Sequence, residues 1–495
     1  MATGISAGAC HRKMAHHGLT GDSDPPARYE EVHEIQAWRR ADARATGVRG
    51  RLKVNKRVLI IVQNLPVPLD RRVWLECQEL VRAGYTVSVI CPKGPQDPGY
   101  QELDGVRLYK YDAPTTQPGV RGYLTEFVVC WLKTARLSVR VRREIGFDVI
   151  QACNPPDTYA LLAAPYKLAG AKFVYDQHDL CPEVYRSRFD RPSPLLLRGL
   201  YLLEGITYRF ADHVISTNES YRLVAMGRGG RGCDDMTVVR SGPDTDRMRP
   251  GVDSPELRRG RRHLIVYLGV MGPQDGVDSV LHVLDILVHK DGREDIHLAL
   301  LGFGDCLEDL RVLSTELGLD DYVTFTGRAD AATIEKYLRT AAVGLGPDPA
   351  NPLNEVSTMN KTMEYMAYGV PVVTFDLIET RVSAGDAACY VEPGDLEGFA
   401  RAVTDLLDDP ERRSTLGRKG RERAAEVLDW CLQAPGYVAV YDHLLGVARA
   451  DAKAGTRPRA GRRPAAWTKV AASAVVSLLA GAGVVAVVSG RWDRR

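Results

Sequence analysis

The chain has 495 residues, 45% of them hydrophobic and 26% charged, with a net charge of +2. That length exceeds one hydrophobic core and predicts two or three domains, and the composition is that of a globular enzyme, which excludes a disordered chain and a polytopic membrane protein. The near-neutral balance leaves no basic footprint for nucleic acid, and ten scattered cysteines without a C-x-x-C exclude a disulfide framework or zinc site and predict reduced thiols in the cytosol.

Residues 1–55 carry His, Gly and charge with little periodicity, which predicts a mostly disordered extension. Within it, Tyr29, Val32, Ile35 and Trp38 recur every three residues, as in a short amphipathic helix. From Arg57 onward β-branched runs alternate with helical patterns. RVLIIVQN (57–64), TVSVICP (86–92), FDVIQAC (147–153), KFVYDQHD (172–179) and DHVISTN (212–218) read as strands. Helices are expected over 69–84 and 123–145, and between the later strands. The rhythm pauses in TVVRSGPDTDRMRP (237–250) and then resumes. HLIVYLGVMG (263–272), HLALLGFG (297–304), YVTFTGR (322–328), AVGLGPD (342–348) and PVVTFD (371–376) are the second set of strands. Helices over 396–408 and 411–428 close that half, and a last helix is expected over 437–447 within a closing segment 431–448. Near-continuous apolar strands alternating with helices predict parallel sheets covered on both faces. The expected fold class is therefore α/β, with two doubly wound Rossmann-like domains, 56–245 and 246–430, facing a central cleft. Ligands of such sheets lie outside the strand carboxyl ends, at helix N-termini.

Residues 449–469 form a basic, low-complexity tether, and 470–489, VAASAVVSLLAGAGVVAVVS, are uncharged and long enough to span a bilayer as a helix. Arg457, Arg459, Arg462, Arg463 and Lys469 precede this stretch, while only Arg491, Arg494 and Arg495 follow it. The positive-inside bias then predicts a single-pass tail anchor in the cell membrane with the large N-terminal part in the cytoplasm.

Several residues carry chemistry. In YLGVMGPQDGVDSVL, Gly269, Gly272 and Gly276 lie between a strand and a helix, where backbone N–H groups can approach a phosphate; a tight turn alone would also want them. In NEVSTMNKTMEYMAYGVPVVTF, Ser357 or Thr358 is placed to cap a helix that carries Lys361 and, one turn on, Glu364. A carboxylate there suits a ribose diol, against the alternative of a surface Lys–Glu pair. His178 and Asp179 fall at a strand's carboxyl end, with Glu183 expected to orient the imidazole. Asn64, Arg71 and Arg72 line the same edge. The two arginines suit an anionic acceptor, or else pair with Glu76 and Glu79 along their own helix. No D-x-D metal pair stands out.

Taken together, NKTMEYMAYGVPVV, the preceding GLGPDP and FTGRAD, LLGFGDCLEDL, YVEPGDLEGFARAVTDLLDDPERR, DQHDLCPE and the crossing VVRSGPDTDRMRP resemble the retaining family 4 glycosyltransferases of the GT-B fold, from about Lys56 to about Val447. The resemblance implies that Glu364 is the second glutamate of the family's E-x7-E motif and holds the donor ribose. The first glutamate should stand at position 356, which is Val356; Glu355, one residue out, is left as the candidate for donor-sugar contact. It also implies that His178 contacts the donor sugar and that Arg328 lies beside the base pocket. The loop that commonly carries Arg and Lys has Val270 and Asp275 instead, so another cation must face the diphosphate, Lys361 first and Arg72 or Arg240 next. The implied activity is transfer of a sugar from a nucleoside-diphosphate sugar to a lipid-linked or cell-surface saccharide acceptor, with no metal or other cofactor. A nucleotide-sugar 2-epimerase of the same fold and a catalytically silent nucleotide-sugar-binding scaffold are the alternatives.

Overall fold

The computed structural model describes residues 56–94, 96–114, 120–189 and 191–447. The expected extension with its 29–38 helix, the basic tether and the apolar stretch at 470–489 all lie outside these residues. Among the described residues no helix is long and apolar enough to cross a membrane.

The first lobe is an eight-stranded sheet of β1 (Arg57–Ile61), β2 (Thr86–Pro92), β3 (Tyr100–Leu103), β4 (Val106–Tyr111), β5 (Val149–Cys153), β6 (Lys172–Gln177), β7 (His213–Ser216) and β8 (Met236–Val238). Its order is β3-β4-β2-β1-β5-β6-β7-β8, parallel throughout except for β3 on β4. Helices α1 (Arg71–Arg82), α2 (Val120–Glu144), α3 (Tyr159–Leu168), α4 (Cys181–Arg188), α5 (Pro194–Phe210) and α6 (Glu219–Gly229) connect them. The central strands are buried along their length, as a sheet covered on both faces requires. The hairpin β3–β4 is an addition to the expected elements. Its turn is Asp104-Gly105, both at positive φ (48° and 80°), the backbone that a two-residue hairpin needs. α1 begins at Arg71, later than expected, because the Asp70 carboxylate accepts the Val73 N–H at 3.1 Å and caps the helix there.

The second lobe holds β9 (His263–Leu268), β10 (Ile296–Leu301), β11 (Val323–Gly327), β12 (Val343–Gly346), β13 (Val372–Phe375) and β14 (Ala388–Val391) in the order β11-β10-β9-β12-β13-β14, all paired in parallel. Its helices are α7 (Val277–Asp285), α8 (Leu307–Glu316), α9 (Ala331–Thr340), α10 (Asn360–Tyr368), α11 (Ile378–Ala384), α12 (Leu396–Asp408) and α13 (Pro410–Arg423). β14 is the one strand of this lobe that the pattern did not announce. The chain reverses direction across the sheet between β9, which continues to β10 on one side, and β12 on the other. The loops after β9 and β12 therefore leave the sheet at the point where its strand order reverses, the place where ligands of such sheets bind.

The last helix, α14 (Trp430–Leu444), returns to the first lobe. Trp430, Tyr437 and Tyr441 join the core formed by β1, β2 and α1, and the Tyr437 hydroxyl donates to Gln151 Oε1 at 2.6 Å. This helix starts earlier than its sequence suggests. Pro435 and Gly436 read as breakers, but Asp429 caps the Cys431 N–H at 2.6 Å and Trp430 is buried, so tertiary packing overrides local preference. Where the chain crosses between lobes, a Cβ on Gly242 would stand 1.8 Å from the Leu428 carbonyl oxygen, so only glycine admits the approach.

Candidate active site at the sheet carboxyl ends

The loop Gly269–Gly276 leaves β9 and enters α7 beside the loop that leaves β12. Gly276 adopts φ +63°, and a Cβ there would lie 2.5 Å from the Pro347 carbonyl oxygen. The glycine is thus required twice over, by its backbone and by the close approach. Gly269 donates its N–H to Leu301 O at 3.0 Å, so this loop is tied to the end of β10. Gly272 N–H donates to Asp275 Oδ2 at 2.9 Å. The loop's own carboxylate therefore stands where an incoming anion would take that amide. Burial, opposed by Lys361 and reinforced by Asp348, pushes the Asp275 carboxyl up to about 6.

Lys361 lies in the first turn of α10 and is buried, its Nζ 2.5 Å from Asp348 Oδ1 and 5.0 Å from the centre of the Tyr267 ring. Burial works against the ammonium, but Asp348 and Asp275 outweigh it and hold the proton. The second oxygen of Asp348 is buried with no hydrogen-bond partner among the described residues. Glu364, one turn along, faces the other lobe. Its Oε1 is 2.7 Å from Arg71 Nη1, with the two side chains 16% and 32% exposed, so neither end of α10's charged pair looks into bulk solvent. Lys361 and Glu364 do not pair with each other, and Arg71 does not pair along α1. Both expectations of a local pair give way to contacts that span the cleft or the loops. Of the two arginines on α1, Arg72 does pair with Glu76, at 3.0 Å, whereas Glu79 takes Arg82.

Neither Ser357 nor Thr358 caps α10, contrary to expectation: the cap position is Met359, with no side-chain hydrogen bond. Both hydroxyls serve the contact between lobes instead. Ser357 Oγ lies 2.8 Å from the Tyr221 hydroxyl and donates to Leu353 O at 2.7 Å, while Thr358 Oγ1 accepts from Asn218 Nδ2 at 3.0 Å. Leu180, Tyr221 and Val224 of the first lobe pack there on Leu353 and Val356 of the second. Glu355 also departs from its expected role. Its Oε2 accepts the Ile378 N–H at the start of α11, at 3.1 Å, and burial raises its carboxyl, so the structure engages it in a helix terminus. Arg328 stacks on Phe303, 3.9 Å from the ring centre, and Asn64 is exposed at the end of β1.

In the first lobe His178 directly follows β6, at the carboxyl end of the strand as predicted. Its Nε2 is 2.7 Å from Asp176 Oδ2; a carboxylate can only accept, so the ring donates here and leaves Nδ1 without a partner among the described residues. Burial disfavours the imidazolium, but the Asp176 charge and hydrogen bond outweigh it and raise the group. The orienting residue is thus Asp176, and Glu183 is not involved: Glu183 binds Arg228, Nη1 to Oε2 at 3.0 Å. Arg72 is buried behind His178. It binds Asp176 Oδ1 at 2.8 Å, Glu76 Oε1 at 3.0 Å and the Val239 carbonyl at 2.8 Å. Asn154 fixes the loop, accepting His178 N–H at 2.6 Å and Asp179 N–H at 3.1 Å and donating to Asp179 O at 2.7 Å. Asp179 itself is a half-buried carboxyl raised by desolvation, with His178 and Arg188 opposing. Helix α4, which follows, packs against the turn Pro273–Asp275 of the other lobe. The imidazole end of β6 and the glycine loop of β9 are therefore opposite walls of one crevice.

Sequence and structure comparisons agree with this geometry. A glycosyl transferase 4-like domain model matches residues 69–242, and a glycosyl transferases group 1 model matches residues 262–409. The chain is 31% identical over 367 residues to a GDP-mannose-dependent alpha-(1-6)-phosphatidylinositol monomannoside mannosyltransferase of Mycolicibacterium smegmatis, covering 65% of this chain and 94% of that one. It is 26% identical over 343 residues to a D-inositol 3-phosphate glycosyltransferase of Thermomonospora curvata, covering 62% of this chain and 77% of the other. Sucrose-phosphate synthase from Thermosynechococcus elongatus superposes with a TM-score of 0.66 at 18% identity, over 80% of this chain and 100% of that one, a likeness of fold.

Proposed function

Because the chain belongs to the glycosyltransferases of group 1 and the 4-like family, and is thus a GT-B-type enzyme using a nucleotide sugar, we propose that it transfers the sugar with retention to a lipid-linked or saccharide acceptor at the cytoplasmic face of a membrane. The observation that carries this reading is the place of Glu364. Its carboxylate sits inside the crevice and is answered by a residue of the opposite lobe, not by solvent. A carboxylate there can accept both hydroxyls of a ribose diol. The relative that acts on phosphatidylinositol monomannoside supports a glycolipid acceptor and makes GDP-mannose the first donor to try. The apolar stretch at 470–489 supports a membrane location.

In the proposed reaction the acceptor hydroxyl attacks the anomeric carbon on the face of the departing diphosphate, whose oxygen takes the proton. The protein's share is to orient the two substrates and stabilise charge. In this reading His178 Nδ1 contacts the sugar, and the hydrogen bond from Nε2 to Asp176 that fixes the ring supports it. No resident metal is needed in this scheme. Among the described residues the one grouping with ligand spacing is Cys153, Asp176 and His178, and the Arg72 guanidinium is already in contact with it.

Thermal-shift titration with GDP, UDP and their sugars tests the donor site, since saturation at about a hundred times Kd stabilises by about 2.7 kcal/mol. No shift with any of them would remove the donor-site assignment. Incubation of GDP-mannose with membrane extract then separates transfer product from free epimer or from no turnover. The Asp275 carboxylate adds a pH dependence. Above its ordinary value and near 6, it becomes charged beside the diphosphate as pH rises through about 6. Affinity for GDP or UDP is expected to fall more between pH 5 and pH 8 in the wild type than in Asp275→Asn, as titration calorimetry at both pH values would read.

A further inference from the structure

The diphosphate of the donor needs a cation, and the cations closest at hand are already engaged. Lys361 is held by Asp348 at 2.5 Å, Arg72 by Asp176 and Glu76, and Arg240 by Glu379 at 3.6 Å. We propose that Arg188, reaching from the first lobe across the crevice, is the residue that neutralises the diphosphate. This rests on the donor-site reading given above.

Helix α4 carries Arg188 at its last position. The helix is fixed at both ends of its role. Glu183 binds Arg228 at 3.0 Å in its own lobe, and Val184 packs on the apolar cluster that joins the lobes. α4 lies against Pro273–Asp275, the turn between Gly272 and Gly276. Arg188 Nη1 is 3.9 Å from Asp305 Oδ2, in the loop that follows β10 and packs on the glycine loop, Cys306 N–H donating to Met271 O at 2.9 Å. The Arg188 charge also favours ionisation of Asp179 and Asp275, against the burial that raises both carboxyls. So one guanidinium, about a third exposed at the side chain, extends from a helix packed on the turn of the glycine loop to within 3.9 Å of Asp305 in the second lobe. Its only ion pair among the described residues is at the outer limit of contact, which leaves its forked N–H donors for a phosphate. Charge develops on the diphosphate as the glycosidic bond breaks, and a cation fixed there lowers the barrier to that step.

The test uses the full chain, Arg188→Ala and Arg188→Lys. GDP and UDP affinities are measured by calorimetry, guanosine and uridine affinities by competition, and kcat with GDP-mannose and membrane extract. Arg188→Ala is expected to lose about tenfold or more in affinity for GDP or UDP and none for the nucleosides, with kcat down by about 10²–10³-fold. Arg188→Lys recovers part of both, and added guanidinium ion at low millimolar concentration recovers part of kcat in the alanine variant. Equal losses for nucleoside and diphosphate would mark a packing role and overturn the proposal, as would unchanged GDP and UDP binding. If the wild type binds neither diphosphate, the donor reading fails and this inference falls with it. If the wild type binds and the variant matches it, only the role of Arg188 is lost.

Discussion

Glu364→Ala is expected to lower kcat/KM for the donor by about 10²–10³-fold while the circular dichroism spectrum stays that of the wild type. Hydrogen bonds to a charged acceptor contribute about 1.5–3 kcal/mol each, and a diol presents two of them. Even at the lower figure their sum corresponds to about two orders of magnitude in a rate constant. The fold should tolerate the change, because α10 is held by its apolar face: Met363, Tyr365, Met366 and Ala367 are fully buried, and the Tyr365 hydroxyl accepts the Leu268 N–H at 2.8 Å. Arg71→Ala supplies a control of opposite sign. In the wild type a ribose must displace the Arg71 guanidinium from Glu364 Oε1; without that competitor the donor KM should fall. Initial rates over a range of donor concentrations read both effects. A donor KM and kcat within twofold of wild type in Glu364→Ala would remove the carboxylate from the ribose site.

Much of the scaffold was legible because its signal is local. The run TVSVICP became β2 with the predicted limits, and the glycines of the β9–α7 loop mark a strand-to-helix turn that needs them. The hairpin β3–β4 has a local signal too, the Asp104-Gly105 dipeptide, but its strands are short and one is mostly exposed, so no apolar run announces them. The candidate site divides along the same line. Lys361 and Glu364 could be found from their place on a helix that precedes a strand, whereas their partners Asp348 and Arg71 could not, since ion pairs between distant segments leave no periodic trace. Asn154 and Asn218 escape for that reason, each acting through backbone groups that only folding brings near. Asp176 and Gln151 are different. A carboxylate and an amide inside KFVYDQ and VIQAC, runs otherwise fit for the sheet centre, imply a buried polar partner. That signal calls for a buried cation, and the structure fills the place with Arg72, which the sequence had suggested for the acceptor or the diphosphate instead.

Arg72→Met therefore has the largest expected effect on stability. Arg72 is 8% exposed, and Asp176 and Glu76 are fully buried beside it. Burial opposes ionisation of Asp176, but Arg72 and His178 outweigh it and hold the carboxyl well below the usual range. Removing the guanidinium leaves that charge buried without its main partner, a change that costs about 3–5 kcal/mol. A lower urea midpoint is the expected reading, together with lost turnover, because His178 is set by the same carboxylate. Glu76 separates charge from volume in this network. Burial and the neighbouring Asp176 push its carboxyl up to about 8, against the opposing pull of Arg72, and Gln151 Nε2 donates to its Oε2 at 2.8 Å. A group raised on folding stabilises fully below its unfolded value, near 4.5, and its contribution drains away as pH rises to about 8. Glu76→Gln keeps the shape and cannot ionise. Its urea midpoint should gain on the wild type steadily from pH 5 to pH 8 and run parallel above that, while Arg72→Met stays far below both. A constant difference between Glu76→Gln and wild type over this range would mean that Glu76 is ionised at neutral pH, with Arg72 shared between two full charges.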